Sequence, residues 1–286
     1  MSSHATIKLL GASLLVAISG GFKLYAAFLF LGIEPSIIVC LAFSLVIYAV
    51  YTLDRTLKSK EDEINREEFS SSNKICAALV ICVSMSLSLL IFALKLSLLP
   101  FLFPLVVGFA YSRGVKIRKY FLKLKSNRGV KNLVVAFTWA TNIVIILQYW
   151  VVDIFSLVFI WIFFFLKSFI NTVIYDFRDV KGDTAAGLLT LPIFLGTKNT
   201  RTLLYLLHIV AHLQIAMAVL FSKVKFDFVI LLYSAIIGLF YVGFYSTAKE
   251  RMGKFRDIIV DGEWIIAVFF TVLIHRVSFL TALGNI

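Results

Sequence analysis

The sequence predicts an all-α polytopic membrane protein: nine transmembrane helices around a central cavity, arranged as two four-helix units plus a ninth helix. Three observations carry this prediction. Hydrophobic residues make up 60% of the 286 positions, 28 of them Phe, and mean hydropathy is +0.95. That is more apolar than an ordinary soluble domain. Only 15% of residues are charged, and they are bunched into a few segments. Between these lie apolar runs near the ~20 residues that cross a hydrocarbon layer at 1.5 Å per residue. The ten-residue alternation of a membrane β-barrel is absent from the pattern.

The runs fall at about 9–31, 35–53, 75–94, 96–112, 132–151, 154–175, 202–221, 226–247 and 259–281. The first follows a single basic residue, Lys8, has no clear small-residue cleavage site, and reads as a retained span and not a signal peptide. It carries Lys23, read as facing a cavity in a structural role or snorkelling. The second ends at Asp54, and the sixth holds Lys167 and Asn171 and ends at Asp176. Acidic loops follow the second and sixth, and basic connections follow the fourth and eighth, a weak internal repeat of four-helix units. His208 and His212 in the seventh have i,i+4 spacing but no third ligand in their helix, so they read as helix–helix hydrogen-bonding groups. Asp257 and Asp261 read as complements to the N-terminal dipole of the ninth helix. With four prolines and no Pro-, Gly- or Ser-rich linker, residues 1–286 read as one domain.

Orientation follows from the basic residues. Of the 28 Lys and Arg, 21 fall in segments 55–74, 113–131, 173–201 and 249–256, whereas the opposite connections hold Lys95, Lys223 and Lys225. The positive-inside rule then puts those four segments and the N-terminus in the cytoplasm and the C-terminus outside. The net charge of +12 is a topological signal plus a site for anions; no nucleic-acid-binding pattern accompanies it. Three cysteines without CxxC spacing, Cys40, Cys76 and Cys82, exclude a disulfide framework or zinc site of the usual kind.

The chemistry gathers in two acidic stretches. Asp176, Asp179 and Asp183 stand at i, i+3 and i+7, on one helical face. Carboxylates so close repel unless a cation sits among them; hard oxygen ligands suit Mg²⁺, and Mg²⁺ usually brings a phosphate. The plain alternative is a solvated acidic loop. Against it stands the earlier stretch Asp54-Arg55-Thr56-Leu57-Lys58-Ser59-Lys60-Glu61-Asp62, where Asp54 abuts an apolar run and Asp54 and Asp62, eight apart, share a helical face with Lys58 between them. Glu63, Glu67 and Glu68 read as surface ion-pairing residues. A third stretch, 113–131, holds eight basic and no acidic residues and suits anion capture, although topology explains most of them.

These stretches resemble the UbiA superfamily of membrane-embedded polyprenyltransferases, whose signatures are Asn-xxx-Asp-xxx-Asp and Asp-xx-Asp-xxx-Asp. The second is matched by Asp176, Asp179 and Asp183, with Gly182, Gly187 and Thr190-Leu191-Pro192 continuing it. The first is matched in part: Asp54 takes the Asn place, Lys58 the middle Asp and Asp62 the last; the alternative register puts Asp54 in the middle, between Val50 and Lys58. The segment from Tyr111 through Lys116 and Arg118 to Lys131-Asn132 is similar to the family's basic connection into its fifth helix.

The resemblance implies Mg²⁺-dependent transfer of a prenyl group from an isoprenoid diphosphate to a lipophilic acceptor, a quinone-type aromatic or a lipid precursor, within the bilayer. Asp54, Asp62, Asp176, Asp179 and Asp183 would be the catalytic metal ligands. Arg55, Lys58, Tyr111, Lys116, Arg118, Lys131, Lys167 and Asn171 would contact the diphosphate. Lys58 stands where a carboxylate is usual. It replaces a metal charge, alters metal stoichiometry, or marks lost activity; these readings stay open. Two other function classes remain beside the transferase: a terpene synthase on the same scaffold, and a non-catalytic lipid-binding paralogue. A transporter is disfavoured because 13 of 16 acidic residues lie on the cytoplasmic side rather than at midplane.

Overall fold

The computed structural model describes residues 2–57, 69, 71–113, 115–117, 120–122, 129–225, 227–246 and 253–284. Among them are ten α-helices: α1 (Ser2–Phe30), α2 (Ile37–Thr56), α3 (Lys74–Lys95), α4 (Leu99–Arg113), α5 (Val130–Leu147), α6 (Ile154–Ala185), α7 (Leu191–Leu220), α8 (Phe228–Tyr245), α9 (Gly253–Asp261) and α10 (Glu263–Gly284). A two-stranded antiparallel hairpin, β1 (Val115–Ile117) and β2 (Tyr120–Leu122), joins the helices as the departure from an all-helical expectation.

Seven helices (α1, α2, α3, α5, α6, α7 and α8) are long and apolar enough to cross a membrane. The expected fourth and ninth spans are shorter as apolar helices, Leu99–Tyr111 and Glu263–Ile274. The ninth expected span, 259–281, begins inside α9, and a turn at Gly262 separates α9 from α10. Two other boundaries moved. Helix α6 runs ten residues past the apolar stretch and carries the whole acidic motif. Helix α7 starts at Leu191, with Pro192 in its first turn, and kinks at Gly196, whose φ of 77° is a left-handed conformation that favours glycine.

Sequence-adjacent helices pack side by side, and α10 lies against both α1 and α8. The helices thereby close a ring in which α1–α4 and α5–α8 form two halves and α10 fills the seam. Small and polar residues draw the helices together: the Ser88 hydroxyl of α3 donates to the Ala42 carbonyl of α2 at 2.8 Å. The opposite face of α3 presents Ile75, Leu79, Val83, Leu87, Leu90 and Leu94 outward, as a lipid-facing helix requires. His208 reaches the Ala235 carbonyl of α8 at 3.0 Å, whereas His212 bonds the His208 carbonyl of its own helix. The close approach at His208 depends on Gly238, where an added Cβ would lie 2.1 Å from the ring. At the far end of α6, Asp153 caps the helix and pairs with Lys223 at 3.2 Å; the Ser156 hydroxyl holds its carboxyl below the usual range.

Several Phe residues serve packing rather than the cavity. Phe28, Phe30, Phe92, Phe163 and Phe164 are fully buried, and Phe30 meets Phe163 edge-on with ring centroids 5.4 Å apart.

Candidate functional site

The ring encloses a cavity of about 600 Å³. Helix α1 contributes Lys8, Ser19 and Lys23; α2 contributes Phe43, Tyr51, Asp54 and Arg55; α4 contributes Pro104, Val107, Gly108 and Tyr111. Across from them stand Lys131, Asn132, Val134, Val135 and Trp139 of α5, and Ser168, Asn171, Tyr175, Asp176, Arg178 and Asp179 of α6. Asp257 and Asp261 of α9 complete the rim.

The walls differ. Helix α4 presents mainly apolar groups and α6 mainly hydroxyl, amide and charged ones, while α1 and α5 each present both kinds. Charge concentrates where α2, α5, α6 and α9 meet.

Helix α6 delivers the acidic motif as one stripe, and basic residues from α5 and α6 answer it. Lys131, from the first turn of α5, places Nζ 2.8 Å from Asp176 Oδ1 and 3.1 Å from Asp183 Oδ2. Asn132 Nδ2 donates to Asp176 Oδ2 at 2.9 Å, while its Oδ1 is buried with no hydrogen-bond partner among the described residues. Arg178 pairs with Asp179 through two nitrogens, Nη2 to Oδ2 at 3.0 Å, and reaches Asp257 at 4.0 Å. Arg256 donates to Asp257 at 2.9 Å. Both guanidinium groups lie over the Tyr175 ring, 5.3 and 5.2 Å from its centroid.

A second polar layer lies deeper, between α1, α5, α6, α8 and α10. Lys23 donates to Ser168 Oγ at 3.2 Å and lies 4.1 Å from the centroid of a Trp139 ring. Trp139 Nε1 in turn donates to the Tyr51 hydroxyl at 3.2 Å. Lys167 forms a fully buried ion pair with Glu263 of α10 at 2.7 Å and donates to the Tyr241 hydroxyl of α8 at 3.0 Å. That hydroxyl donates to Asn171 Oδ1 at 2.8 Å.

Of the residues expected at a diphosphate site, Asp54, Arg55, Tyr111, Lys131, Asn171, Asp176 and Asp179 line the one cavity. Asp183 sits behind the wall, buried against Lys131. Lys167 does not reach the cavity. An ammonium at that depth needs a counter-charge, and Glu263 supplies it. Asp257 and Asp261 belong to α9 and face the cavity, so the dipole reading is corrected: the acidic residue in the first turn of α10 is Glu263. Arg55 donates to Ser13 Oγ at 2.8 Å. The helix bearing Asp54 ends at Thr56, with Leu57 extended. Lys58, Asp62 and Arg118 lie outside the described residues, and only the backbone of Lys116, in β1, is described.

No three His, Cys, Asp or Glu side chains among the described residues converge tightly enough to hold a metal ion alone. The donor set still fits Mg²⁺, which is commonly held by one or two carboxylates together with substrate phosphates and waters. Asp54, Asp176 and Asp179 supply such carboxylates around one space.

Sequence reasoning missed Glu263 and Arg256 and gave Asp257 and Asp261 a different role. The available signal was their place at the foot of the last apolar run, on the same side as both acidic stretches.

The architecture is that of solved membrane proteins. A UbiA homolog from Archaeoglobus fulgidus bound to GPP and Mg²⁺ is 15% identical and superposes with a TM-score of 0.62, over 94% of this chain and 99% of that one. A UbiA homolog from Aeropyrum pernix K1 is 11% identical with a TM-score of 0.58, covering 91% and 98%. Digeranylgeranylglyceryl phosphate synthase is 16% identical with a TM-score of 0.54, covering 95% and 96%. No curated protein matches the chain in sequence. The model of the UbiA prenyltransferase family matches residues 60–257, over two thirds of the sequence, and the chain belongs to that family.

Proposed function

We propose that this integral membrane protein transfers a prenyl group from an isoprenoid diphosphate to a lipophilic acceptor within the bilayer, with Mg²⁺ as cofactor and the whole of 1–286 as one catalytic domain. The observation that carries the reading is the cavity: an intramembrane chamber walled on one side by apolar groups and rimmed by alternating carboxylates and cations. The solved Archaeoglobus homolog bound to GPP and Mg²⁺ supports the donor class and the metal.

Asp176 and Asp179 with Asp54 would hold Mg²⁺, with Asp62 of the first acidic stretch and Asp183 behind the wall as further ligands. Bound Mg²⁺ supplies positive charge that makes diphosphate a better leaving group. Lys131, Arg178 and Arg55 offer charge-assisted donors to phosphate oxygens. Pro104, Val107, Gly108, Val134 and Val135 form the wall for the prenyl tail. Tyr51, Trp139 and Tyr175 present π faces that tolerate positive charge on an allylic carbon, and the closed ring limits water. The positive-inside pattern puts the rim on the cytoplasmic side, where a water-soluble diphosphate group arrives.

The test incubates the purified protein with geranyl, farnesyl and geranylgeranyl diphosphates, Mg²⁺ and a cell lipid extract, followed by mass spectrometry. A prenylated lipid formed only with Mg²⁺ and the extract is expected. A hydrocarbon or terpene alcohol from donor alone would point to a terpene synthase, and no turnover of any donor would end the reading.

A further inference from the structure

Five carboxylates line the cavity among the described residues: Asp54, Asp176, Asp179, Asp257 and Asp261. Asp54, Asp176 and Asp179 belong to the two acidic stretches, and Asp257 is held by Arg256 at 2.9 Å. Asp261 belongs to neither stretch, and no Lys or Arg of the described residues forms an ion pair with it. The groups that act on it electrostatically are Tyr175 from α6, Asp257 one turn back on its own helix, Arg55 from α2 and Lys23 from α1. The two cations attract it from across the chamber and leave the carboxylate free to accept a hydrogen bond.

The place of Asp261 along the chamber follows from its neighbours in α9 and α10. Asp257 and Asp261 stand at i and i+4 on one face of α9, ~6 Å apart along the axis. Asp257 reaches Arg178 at the rim, 4.0 Å away. Glu263, two residues beyond Asp261, pairs with Lys167 in the deeper layer. Asp261 therefore lies between the rim, which holds the diphosphate on the proposed reading, and the deeper layer. That is the level at which an allylic carbon meets an acceptor.

Prenyl transfer releases one proton for each bond made. The C–O bond of the donor breaks with its electron pair leaving on the diphosphate, the acceptor atom bonds to the allylic carbon, and the hydrogen on that atom departs as a proton. A chamber that limits water must supply a group to take it. A carboxylate that holds a cation or a metal ion takes a proton less readily than it would alone. Asp176, Asp179 and Asp257 already hold Lys or Arg, and Asp54, Asp176 and Asp179 would hold metal. Asp261 has no such competitor. We infer that Asp261 is the general base that accepts the acceptor's proton, a catalytic residue supplied by α9 and separate from both acidic motifs. This inference rests on the transferase reading for the reaction it serves.

The test uses the full-length protein in nanodiscs with Mg²⁺ and compares two readouts across pH. One is equilibrium binding of the inert donor analogue geranyl thiolodiphosphate; the other is the rate at which geranyl, farnesyl or geranylgeranyl diphosphate prenylates the cell lipid extract. Asp261→Asn should leave analogue binding within about three-fold and lower transfer by ~10²-fold or more, the order of a general base's contribution. In the unmodified protein, transfer should fall as pH drops and Asp261 takes up its proton, over a range in which analogue binding holds steady. The residual transfer of Asp261→Asn should lack that acid limb, and Asp261→Glu should recover part of the rate and the limb with it. Transfer within about three-fold of the unmodified rate in Asp261→Asn, an acid limb that persists in it, or a loss of analogue binding that matches the loss of transfer overturns the inference. The pH comparison on the unmodified protein stands even if a variant misfolds: parallel acid limbs in binding and transfer, or no limb in transfer, overturn it as well. No prenylated lipid from the unmodified protein would sink the transferase reading and the base with it, whereas transfer that ignores Asp261 sinks only the base.

Discussion

Replacing Glu263 by Gln tests whether one ion pair organises the deeper layer. Lys167 and Glu263 are fully buried and 2.7 Å apart, so at an effective dielectric of ~20 their attraction is about 6 kcal/mol before desolvation is counted. After the substitution, Lys167 keeps the Tyr241 hydroxyl at 3.0 Å and the Ser234 carbonyl at 3.5 Å, neither of them charged. Gln preserves volume, so no cavity adds to the effect. Removing one partner of such a pair costs about 3–5 kcal/mol, because the other charge is left buried and alone. At about 2–3 °C per kcal/mol for a chain of this size, the melting temperature should fall by roughly 6–15 °C. The partner variant Lys167→Met should lose a similar amount. The double variant Lys167→Met, Glu263→Gln, with no buried charge remaining, should recover most of the loss. Thermal unfolding in one fixed detergent, read by intrinsic fluorescence, gives the coupling energy as a double-mutant cycle. A Glu263→Gln loss below about 1 kcal/mol, or a double variant that loses the sum of the singles, refutes the reasoning.

Three further outcomes are expected. Asp176→Asn and Asp179→Asn should each lower turnover by ~10²-fold or more, since a group acting on transition-state charge has effects of that order; near-normal rates in both would remove the metal-ligand role. Cysteines introduced at Ser126 and Thr197 should be protected from a membrane-impermeant reagent in intact cells, and labelling of both from outside would reverse the proposed orientation. If Lys58 stands in for a metal charge, Lys58→Ala should weaken donor binding at every Mg²⁺ concentration and Lys58→Asp should restore it only at raised Mg²⁺; a Lys58→Ala titration that overlays the unmodified protein makes Lys58 a bystander.

What could be read from the sequence followed from local chemistry. Apolar runs read as helices because a backbone in lipid must satisfy its own hydrogen bonds, and the Asp176, Asp179 and Asp183 stripe read correctly because i, i+3 and i+7 is a property of one helix. What escaped depended on distant pairing. Lys167 looked like a cavity residue because its counter-ion, Glu263, stands 96 positions later and enters only when α10 packs into the ring. Asp257 and Asp261 looked like dipole partners because the run from 259 is apolar enough to hide the turn at Gly262. Asp183 looked equivalent to Asp176 and Asp179, but a stripe eight residues long on one helix passes out of the cavity before it ends.

The arrangement of the rim has a consequence for how a donor binds. Its carboxylates already carry partners from the chain: Lys131 bridges Asp176 and Asp183, Arg178 holds Asp179, and Arg256 holds Asp257. These pairs offset the repulsion that three carboxylates on one face would otherwise impose on α6. On the proposed reading, a diphosphate entering with divalent cations would bring charges of both signs, so each carboxylate would exchange its basic partner for metal while that Lys or Arg turned to phosphate oxygen. The number of ion pairs is conserved in such an exchange, and so the rim can accept the donor without first exposing a bare carboxylate or a bare ammonium. Lys131 is the most constrained participant, because it bridges two of the motif's acids and its stem is anchored in the first turn of α5.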